Sequence, residues 1–365
     1  MSALTLGMKR TITDSIDRSI VANFSAANLV VHTSTSFANH GYVLNKTFTD
    51  QLAQLTQTRI SLQNDIYGKP GVNQSYRNRG VDLAWDYERL EVAMGGSGTR
   101  EYSHEQINEL LESGRVRGME GQHINSAASH PELQGNPDNI KFLTRDEHFA
   151  EHGYDWRNQT SGDLLDRDST LKGLNRKQLL KNDLTGLGIS AAIGFGSGFL
   201  ISTIMEVAKT GAYSKEVLKH SLGVGVETAT LSSVTYAGGR VVNALIQNTF
   251  SEFAQTPVGQ AVGLGSAGIL SVAIISAYQY AKMRCNGVEK EEAFDAIGMQ
   301  MSMSIFNIAL SAIATGIWGG PAGIVVSIGA TIVYVGSNVA RSVKDRNFND
   351  RLREYTVEQY KPIYI

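Results

Sequence analysis

Two histidines spaced one helical turn apart are the first residues in this sequence with a capacity for chemistry. His148 and His152 are four positions apart. On a helix that spacing places both imidazoles on one face, with their Cβ atoms about 5–6 Å apart. Two imidazoles so arranged can chelate one divalent metal ion. The same spacing also arises on solvated helix surfaces, so the pair by itself leaves both interpretations open.

Two predicted strands precede the histidine pair. Residues 115–120 form a short mixed segment typical of a strand, and His123 follows directly after a turn predicted at Gly121. Residues 125–138 are rich in Pro, Gly and Asn, the residues of loops. Residues 139–143 then alternate between apolar and polar side chains, which predicts a second strand.

A helix is predicted immediately after the second strand. Thr144 and Glu147 form a T-x-x-E capping box, in which each residue satisfies a backbone N–H at the start of a helix. The helix is expected over residues 145–152 and should stop at Gly153, because glycine readily adopts the left-handed conformation that ends helices. The sequence therefore predicts the order strand, loop, strand, helix.

Four short motifs follow one another through this segment. They are Gly121-Gln122-His123-Ile124-Asn125, His130-Pro131-Glu132-Leu133, Pro137-Asp138-Asn139-Ile140 and Glu147-His148-Phe149-Ala150-Glu151-His152-Gly153. In this order they resemble the HNH, or ββα-metal, endonucleases, and most closely the toxin nucleases with a GHH signature. The resemblance covers about residues 75–165. It implies a small α+β domain that hydrolyses phosphodiester bonds of DNA with one divalent metal ion, which could be Mg²⁺, Mn²⁺, Ni²⁺ or Zn²⁺.

The resemblance also implies a role for individual residues. His123 matches the general base that activates a water molecule, a task suited to imidazole because its pKa lies near neutrality. Asn139 matches the residue that orients this base. His148 and His152 match metal ligands, and Gln122 occupies the position of a further ligand.

Gln122 departs from the family pattern, which has a histidine at this position. An amide oxygen is a poorer ligand than imidazole for a transition metal, although it suits a hard ion such as Mg²⁺. Three outcomes stay open from the sequence. Gln122 coordinates weakly, the nearby carboxylate of Glu120 replaces it, or the site has lost its cutting activity and retains only DNA binding.

Three cationic residues flank these motifs and are candidates for binding DNA phosphates: Lys141, Arg145 and Arg157. Ordinary surface charge explains them equally well. No motif that reads base edges is present, so we expect little or no sequence specificity.

Composition places these motifs within a longer chain of 365 residues with a net charge of −2, which excludes a globally basic surface. The single cysteine excludes an internal disulfide framework and a cysteine-cluster metal site. Charge is dense over residues 64–183, and long uncharged runs follow this segment. We therefore expect three segments: an N-terminal region over 1–74 with a helix at 47–66, a nuclease domain over 75–180, and a glycine-rich hydrophobic helical domain over 181–365.

The last segment contains long runs without any charged residue, at 184–205, 253–281 and 296–340. Uncharged apolar runs of 18 or more residues are candidates for membrane-spanning helices. Small residues recur at four-residue spacing, as at Ser190, Gly194 and Gly198, and this spacing allows close helix packing in lipid. A soluble helical bundle with an uncharged core is the competing interpretation.

The expected function is a metal-dependent endonuclease toxin that acts on DNA, with C-terminal helices that associate with a membrane or carry the nuclease across one. Such a protein would be a secreted or membrane-associated effector, and an immunity protein or a delivery partner would accompany it. The alternative from another class is a membrane-active or structural helical protein that carries an inert nuclease module.

Overall fold

The computed structural model describes residues 3–360, and its side chains are described for residues 18–356. The chain divides into two compact units. One, here called the mixed unit, is Val43–Lys181. The other, here called the helical unit, combines Met1–Tyr42 with Asn182–Ile365.

The helical unit contains the first part of one very long helix and the helices of the second half of the chain. They are α1 (Ala3–Ile66), α5 (Arg167–Thr210), α6 (Lys215–Thr249), α7 (Ser251–Gln255), α8 (Pro257–Cys285), α9 (Lys290–Trp318) and α10 (Gly320–Tyr360). All residues from 18 to 28 are buried, which is three full turns of α1. This part of α1 is therefore enclosed by other helices on every side.

Polar residues of the surrounding helices face α1. The Glu227 carboxylate of α6 accepts hydrogen bonds from Ser19 and Asn23 of α1, and it forms an ion pair with Lys282 of α8. Further along α1, Asn28 accepts a hydrogen bond from the Ser304 hydroxyl of α9 at 2.7 Å. The interior of this unit thus combines hydrogen bonds between polar side chains with apolar packing, as around Ile20 and Phe24 of α1.

Large apolar residues occupy the outside of the same helices. Examples from five helices are Leu200, Leu245, Ile269, Phe306 and Val333, which are between 56% and 71% exposed. Four helices are long and apolar enough to cross a membrane: α5, α8, α9 and α10 over Gly320–Thr356. Only 22% to 44% of the residues in their most apolar stretches are buried within the protein. So many large apolar residues exposed on one set of helices are unusual for a protein surface in water.

The helix α1 is longer than the N-terminal helix predicted from the sequence. The helix predicted at 47–66 is its last part, and the division at residue 74 stays a prediction. A single helix runs over Ala3–Ile66, and its residues belong to both units. The last part has the apolar face on which that prediction relied, since Phe48 and Leu52 are buried and Leu55 packs against them, whereas residues 18–28 are buried all round.

The mixed unit has an α+β core of two strands and several helices. Along the chain these are the end of α1, α2 (Gln74–Ala93), α3 (His104–Ser113), β1 (Met119–His123), β2 (Ile140–Thr144), α4 (Arg145–Glu151) and the start of α5. The strands form an antiparallel pair in which Gln122 lies opposite Lys141 and His123 opposite Ile140. Two 3₁₀ turns, Pro131–Leu133 and Pro137–Asn139, shape the loop between them. The predicted order of strand, loop, strand and helix is therefore present.

Strand β1 lies later in the sequence than residues 115–120, where it was predicted. The turn falls at Gly118, whose φ of +77° is a left-handed conformation that favours glycine. Gly121, predicted to be the turn, lies within the strand instead. A Cβ atom at Gly121 would approach the Val81 methyl groups of α2 to 2.9 Å, so the missing side chain allows α2 to pack on β1.

The start of α4 has the predicted capping box. The Glu147 N–H donates to the Thr144 hydroxyl at 3.3 Å, and the Thr144 N–H donates to the Glu147 carboxylate at 2.8 Å. Hydrogen bonds from Arg100 and Thr144 lower the pKa of Glu147 to about 2. The helix ends with His152 as its C-cap, and Gly153 follows with a φ of +59°.

A buried ion pair connects the pieces of the mixed unit. Arg167 and Glu88 are 2.8 Å apart, and their side chains are 2% and 0% exposed. Arg167 also donates to the backbone carbonyls of Pro137 and Ile140, where β2 begins. Glu88 accepts from the Thr99 N–H, the Thr99 hydroxyl and the Tyr102 hydroxyl. One pair thus joins α2, β2 and the first residue of α5.

We expect Arg167→Met to destabilise the mixed unit by about 3–5 kcal/mol, because it leaves the buried Glu88 carboxylate without an opposite charge. Hydrogen exchange of the amides in β1 and β2 of the full chain should then accelerate by at least about 100-fold, since 1.4 kcal/mol corresponds to a factor of ten. Arg115→Ala is the matched control, because its ion pair with Asp82 is exposed. Equal exchange rates in the two variants would show that the buried pair is not essential.

Candidate active site

The ring of His123 is fixed at the end of β1 by a backbone carbonyl. His123 is 5% exposed, and its Nε2 lies 3.0 Å from the Gln134 carbonyl oxygen. A carbonyl oxygen only accepts hydrogen bonds, so Nε2 carries the proton and donates it. Nδ1 is then the basic nitrogen. It is buried, and it has no hydrogen-bond partner in the described part of the chain.

Burial lowers the pKa of His123 below its ordinary value of 6.5. The hydrogen bond to Gln134 opposes this shift, whereas the nearby charges of Arg77 and His148 add to it. The imidazole is therefore neutral at pH 7. A neutral imidazole with one unengaged nitrogen can accept a proton from a water molecule, which is the chemistry of a general base.

His148 and His152 lie side by side on α4, and each ring is oriented through its Nδ1 atom. His148 Nδ1 donates to the Glu120 carboxylate of β1 at 2.8 Å. His152 Nδ1 donates to the Asn158 carbonyl at 2.6 Å. The ring centroids are 5.4 Å apart. Because Nδ1 carries the proton in both rings, Nε2 of each is the nitrogen with a lone pair for a metal ion.

Trp156 packs against both histidines. Its ring centroid lies 5.0 Å from His148 and 5.4 Å from His152, and the tilted ring of Phe149 lies 5.0 Å away on α4. These contacts restrict the rotamers of the two imidazoles. The pair is thus held in place by packing as well as by hydrogen bonds.

Gln122 is buried at 2% exposure, and its amide Nε2 donates to the Thr160 hydroxyl at 3.2 Å. This hydrogen bond uses the amide nitrogen and leaves the amide oxygen, which is the atom that binds metals. Among the described residues, no group of three His, Cys, Asp or Glu side chains could hold a metal ion. The donors at this site that fit a divalent ion are therefore the two Nε2 atoms, with Gln122 as a weak oxygen donor.

Asn139 contacts the loop and not the ring of His123. Its Oδ1 accepts from the Asn125 N–H at 2.8 Å, and its Nδ2 donates to the Asn125 carbonyl at 2.9 Å. The residue is completely buried. Asn139 thus fixes the chain directly after His123, while Gln134 makes the contact with the imidazole itself.

The three predicted phosphate-binding residues all have carboxylate partners. Lys141 pairs with Glu151 at 2.8 Å, Arg145 with Glu120 at 3.2 Å and Arg157 with Asp155 at 3.0 Å. The side chains of Arg145 and Arg157 are 77% and 91% exposed. All three cations lie near α4, and the structure leaves their contact with DNA as a prediction.

Sequence reasoning missed the residues that orient the site. Gln134 and Asn158 act through backbone carbonyls, and side-chain identity carries no signal for such a contact. Glu120 was considered only as a substitute ligand, whereas it holds the His148 ring. Arg77 of α2 was not considered, although its charge acts on His123. An arginine at the start of the helix that packs on β1 was the one available signal.

Comparison with known proteins identifies part of this unit. Residues 72–144 match the family model described as "GHH signature containing HNH/Endo VII superfamily nuclease toxin". The match includes Gln122, His123 and Asn139 and ends before His148 and His152. No solved structure matches the chain.

Several teneurins are similar over short segments. Teneurin-3 of Danio rerio is 33% identical over 79 residues, which are 22% of this chain and 3% of that protein. Teneurin-4 of Mus musculus is 32% identical over 97 residues, or 25% and 4% of the two chains. Teneurin-m of Drosophila melanogaster is 36% identical over 64 residues, or 18% and 2%. The chain spans only a few per cent of these relatives, so the informative match is that of residues 72–144 to the GHH-signature nuclease toxins.

Proposed function

We propose that the mixed unit is a metal-dependent endonuclease that hydrolyses phosphodiester bonds of DNA and acts as a toxin. The match of residues 72–144 supports a nuclease toxin module. The proposal of phosphodiester hydrolysis rests on the tautomer of His123. Its Nε2 is committed to the Gln134 carbonyl, and its Nδ1 is basic and unengaged. We assign the nuclease domain to residues 75–180.

His123 would act first, as the base that takes a proton from water. The Gln134 carbonyl holds the tautomer in which Nδ1 can accept that proton, and it stabilises the imidazolium that results. Asn139 and Asn125 keep the following loop in one conformation, so that the ring stays in register with the substrate. The resulting hydroxide attacks the phosphorus atom, the bond between phosphorus and the 3′ oxygen breaks, and the leaving 3′ oxygen takes a proton from solvent water.

His148 and His152 would hold the divalent metal ion through their Nε2 atoms. The fit rests on the hydrogen bonds that direct both Nδ1 protons to Glu120 and Asn158. When bound, the ion neutralises charge on the phosphate and on the leaving oxygen. Gln122 would be a weak oxygen donor to it. Lys141, Arg145 and Arg157 would contact the neighbouring phosphates, and an immunity protein or a delivery partner would accompany a toxin of this kind.

His123→Ala in the full chain should reduce plasmid nicking by roughly 10²–10⁴-fold in Mg²⁺, Mn²⁺, Ni²⁺ or Zn²⁺, because it removes the general base. His130→Ala is the matched control. His130 belongs to the same segment, and its half-exposed side chain pairs with Glu132. The control should stay within about twofold of the unmodified chain. Equal nicking by both variants would contradict the role of His123.

Gln122→His should raise the affinity for Ni²⁺ or Zn²⁺ by at least about tenfold, because imidazole is a better ligand than an amide for these ions. Titration calorimetry after treatment with a chelator measures the change. Nicking in Ni²⁺ or Zn²⁺ should rise with it. Unchanged metal affinity would show that the side chain at position 122 does not reach the ion, and loss of binding in His148→Ala would still locate the remaining ligands.

The helical unit favours a second function, which is association with a membrane. The supporting observation is the set of large apolar residues exposed on the outside of α5, α6, α8, α9 and α10, while Ser, Asn and Gln side chains are buried between these helices. In water this surface would be costly, because large exposed apolar patches drive association. In a bilayer the same surface is solvated by lipid. A chain whose nuclease module cannot cut DNA would then still be a membrane-active protein, which is the alternative function considered from the sequence.

Val333→Arg should weaken association of the full chain with lipid vesicles. Val333 is 71% exposed in the apolar part of α10, and arginine near the centre of a spanning helix costs about 2.5–3.5 kcal/mol. Phe348→Arg is the matched control. Phe348 is 63% exposed on the same helix but lies beyond the apolar stretch, between charged residues. Co-flotation of all three proteins to the same extent would contradict a lipid-facing surface.

A further inference from the structure

One face of α2 packs against the end of β1 that carries His123. Positions 77, 80, 81 and 84 lie on the same side of a helix. Val81 contacts Gly121 of β1, and Gly80 lies against the Gln134 carbonyl, with an added Cβ atom only 2.9 Å from that oxygen. Ala84 is fully buried. The same Gln134 carbonyl accepts the hydrogen bond from His123, so this face of α2 passes directly beside the imidazole.

Arg77 is the first residue on that face. It lies one turn before Gly80, towards the end of the strand at which His123 is located. Arg77 therefore lies on the face of α2 that packs beside the imidazole.

The guanidinium group of Arg77 has no protein partner in the described residues. Its Nε is buried without a hydrogen bond, and neither an ion pair nor a side-chain hydrogen bond is formed by it there. Neighbouring arginines differ. Arg79 pairs with Asp65 at 2.9 Å, and Arg100 pairs with Glu147 at 2.6 Å. The Arg100 Nε is also buried without a hydrogen bond, so the difference lies in the ion pair that Arg77 lacks. A bound ligand can supply the missing acceptor for such a donor.

We propose that Arg77 binds the scissile phosphate on the side of the general base. The proposal rests on the proposed nuclease function and adds a substrate-positioning residue to it. A guanidinium group presents a planar fork of donors that matches two oxygens of a phosphodiester, and it remains charged at every physiological pH. Held beside His123, it orients the phosphorus atom towards the water that His123 activates.

The test compares Arg77→Ala and Arg77→Lys with Arg79→Ala in the full chain. Arg79 is the matched control because it lies two positions further along α2, is exposed, and has its own carboxylate partner. Binding of a short fluorescent DNA duplex is measured in a chelator, so that no cutting occurs, at several salt concentrations. Plasmid nicking in Mn²⁺ gives kcat and KM separately.

Loss of one phosphate contact should reduce the slope of log affinity against log salt by about 1 in Arg77→Ala. Arg77→Lys should keep the slope, because its charge remains. For nicking, Arg77→Ala should lower kcat by roughly 100-fold, as loss of a transition-state donor does, and Arg77→Lys should recover part of that loss. Arg79→Ala should keep the kcat of the unmodified chain.

The proposal is overturned if Arg77→Ala and Arg79→Ala have the same salt slope. That comparison needs no turnover, so it also decides the case in which the unmodified chain binds DNA without cutting it. In that case the proposed nuclease activity fails and the phosphate contact is judged on binding alone. If circular dichroism shows that Arg77→Ala does not fold, Arg77→Lys decides the question, because lysine keeps the charge but lacks the planar fork of donors. A kcat equal to that of the unmodified chain would then reject a positioning role.

Discussion

The buried pair between Arg167 and Glu88 is the interaction on which the mixed unit depends. Two opposite charges without access to water stabilise a fold only when every remaining donor and acceptor is satisfied. Here Arg167 reaches carbonyls at both ends of the turn that starts β2, and Glu88 collects donors from the segment before α3. The strand that carries the loop of Asn139 is therefore positioned by an arginine from a different helix.

Local rules predicted the elements that surround the histidine pair. The capping box of Thr144 and Glu147 is present, because both of its hydrogen bonds form within four residues and need no tertiary contact. The i, i+4 spacing of His148 and His152 likewise guaranteed that their rings would be neighbours on a helix. The family match of residues 72–144 agrees with the resemblance that the motifs suggested.

Non-local contacts escaped prediction for the same physical reason. The acceptor for His123 is a backbone carbonyl in the loop, and any residue at position 134 supplies one. Gly121 signalled a turn, since glycine is common in turns, yet it is needed where Val81 approaches the strand too closely for a Cβ atom. A glycine chosen for close packing and one chosen for a left-handed turn look identical in a sequence.

The helical unit shows that predictions from hydrophobic periodicity assume water as the solvent. Periodicity arguments take the apolar side of a helix to be the inner side. In this unit the inner side carries Asn23, Glu227 and Ser304, and the first part of α1 is buried all round, so it shows no stripe at all. Ser19, Asn23 and Asn28 of that part form hydrogen bonds with the surrounding helices, next to buried apolar side chains such as Phe24.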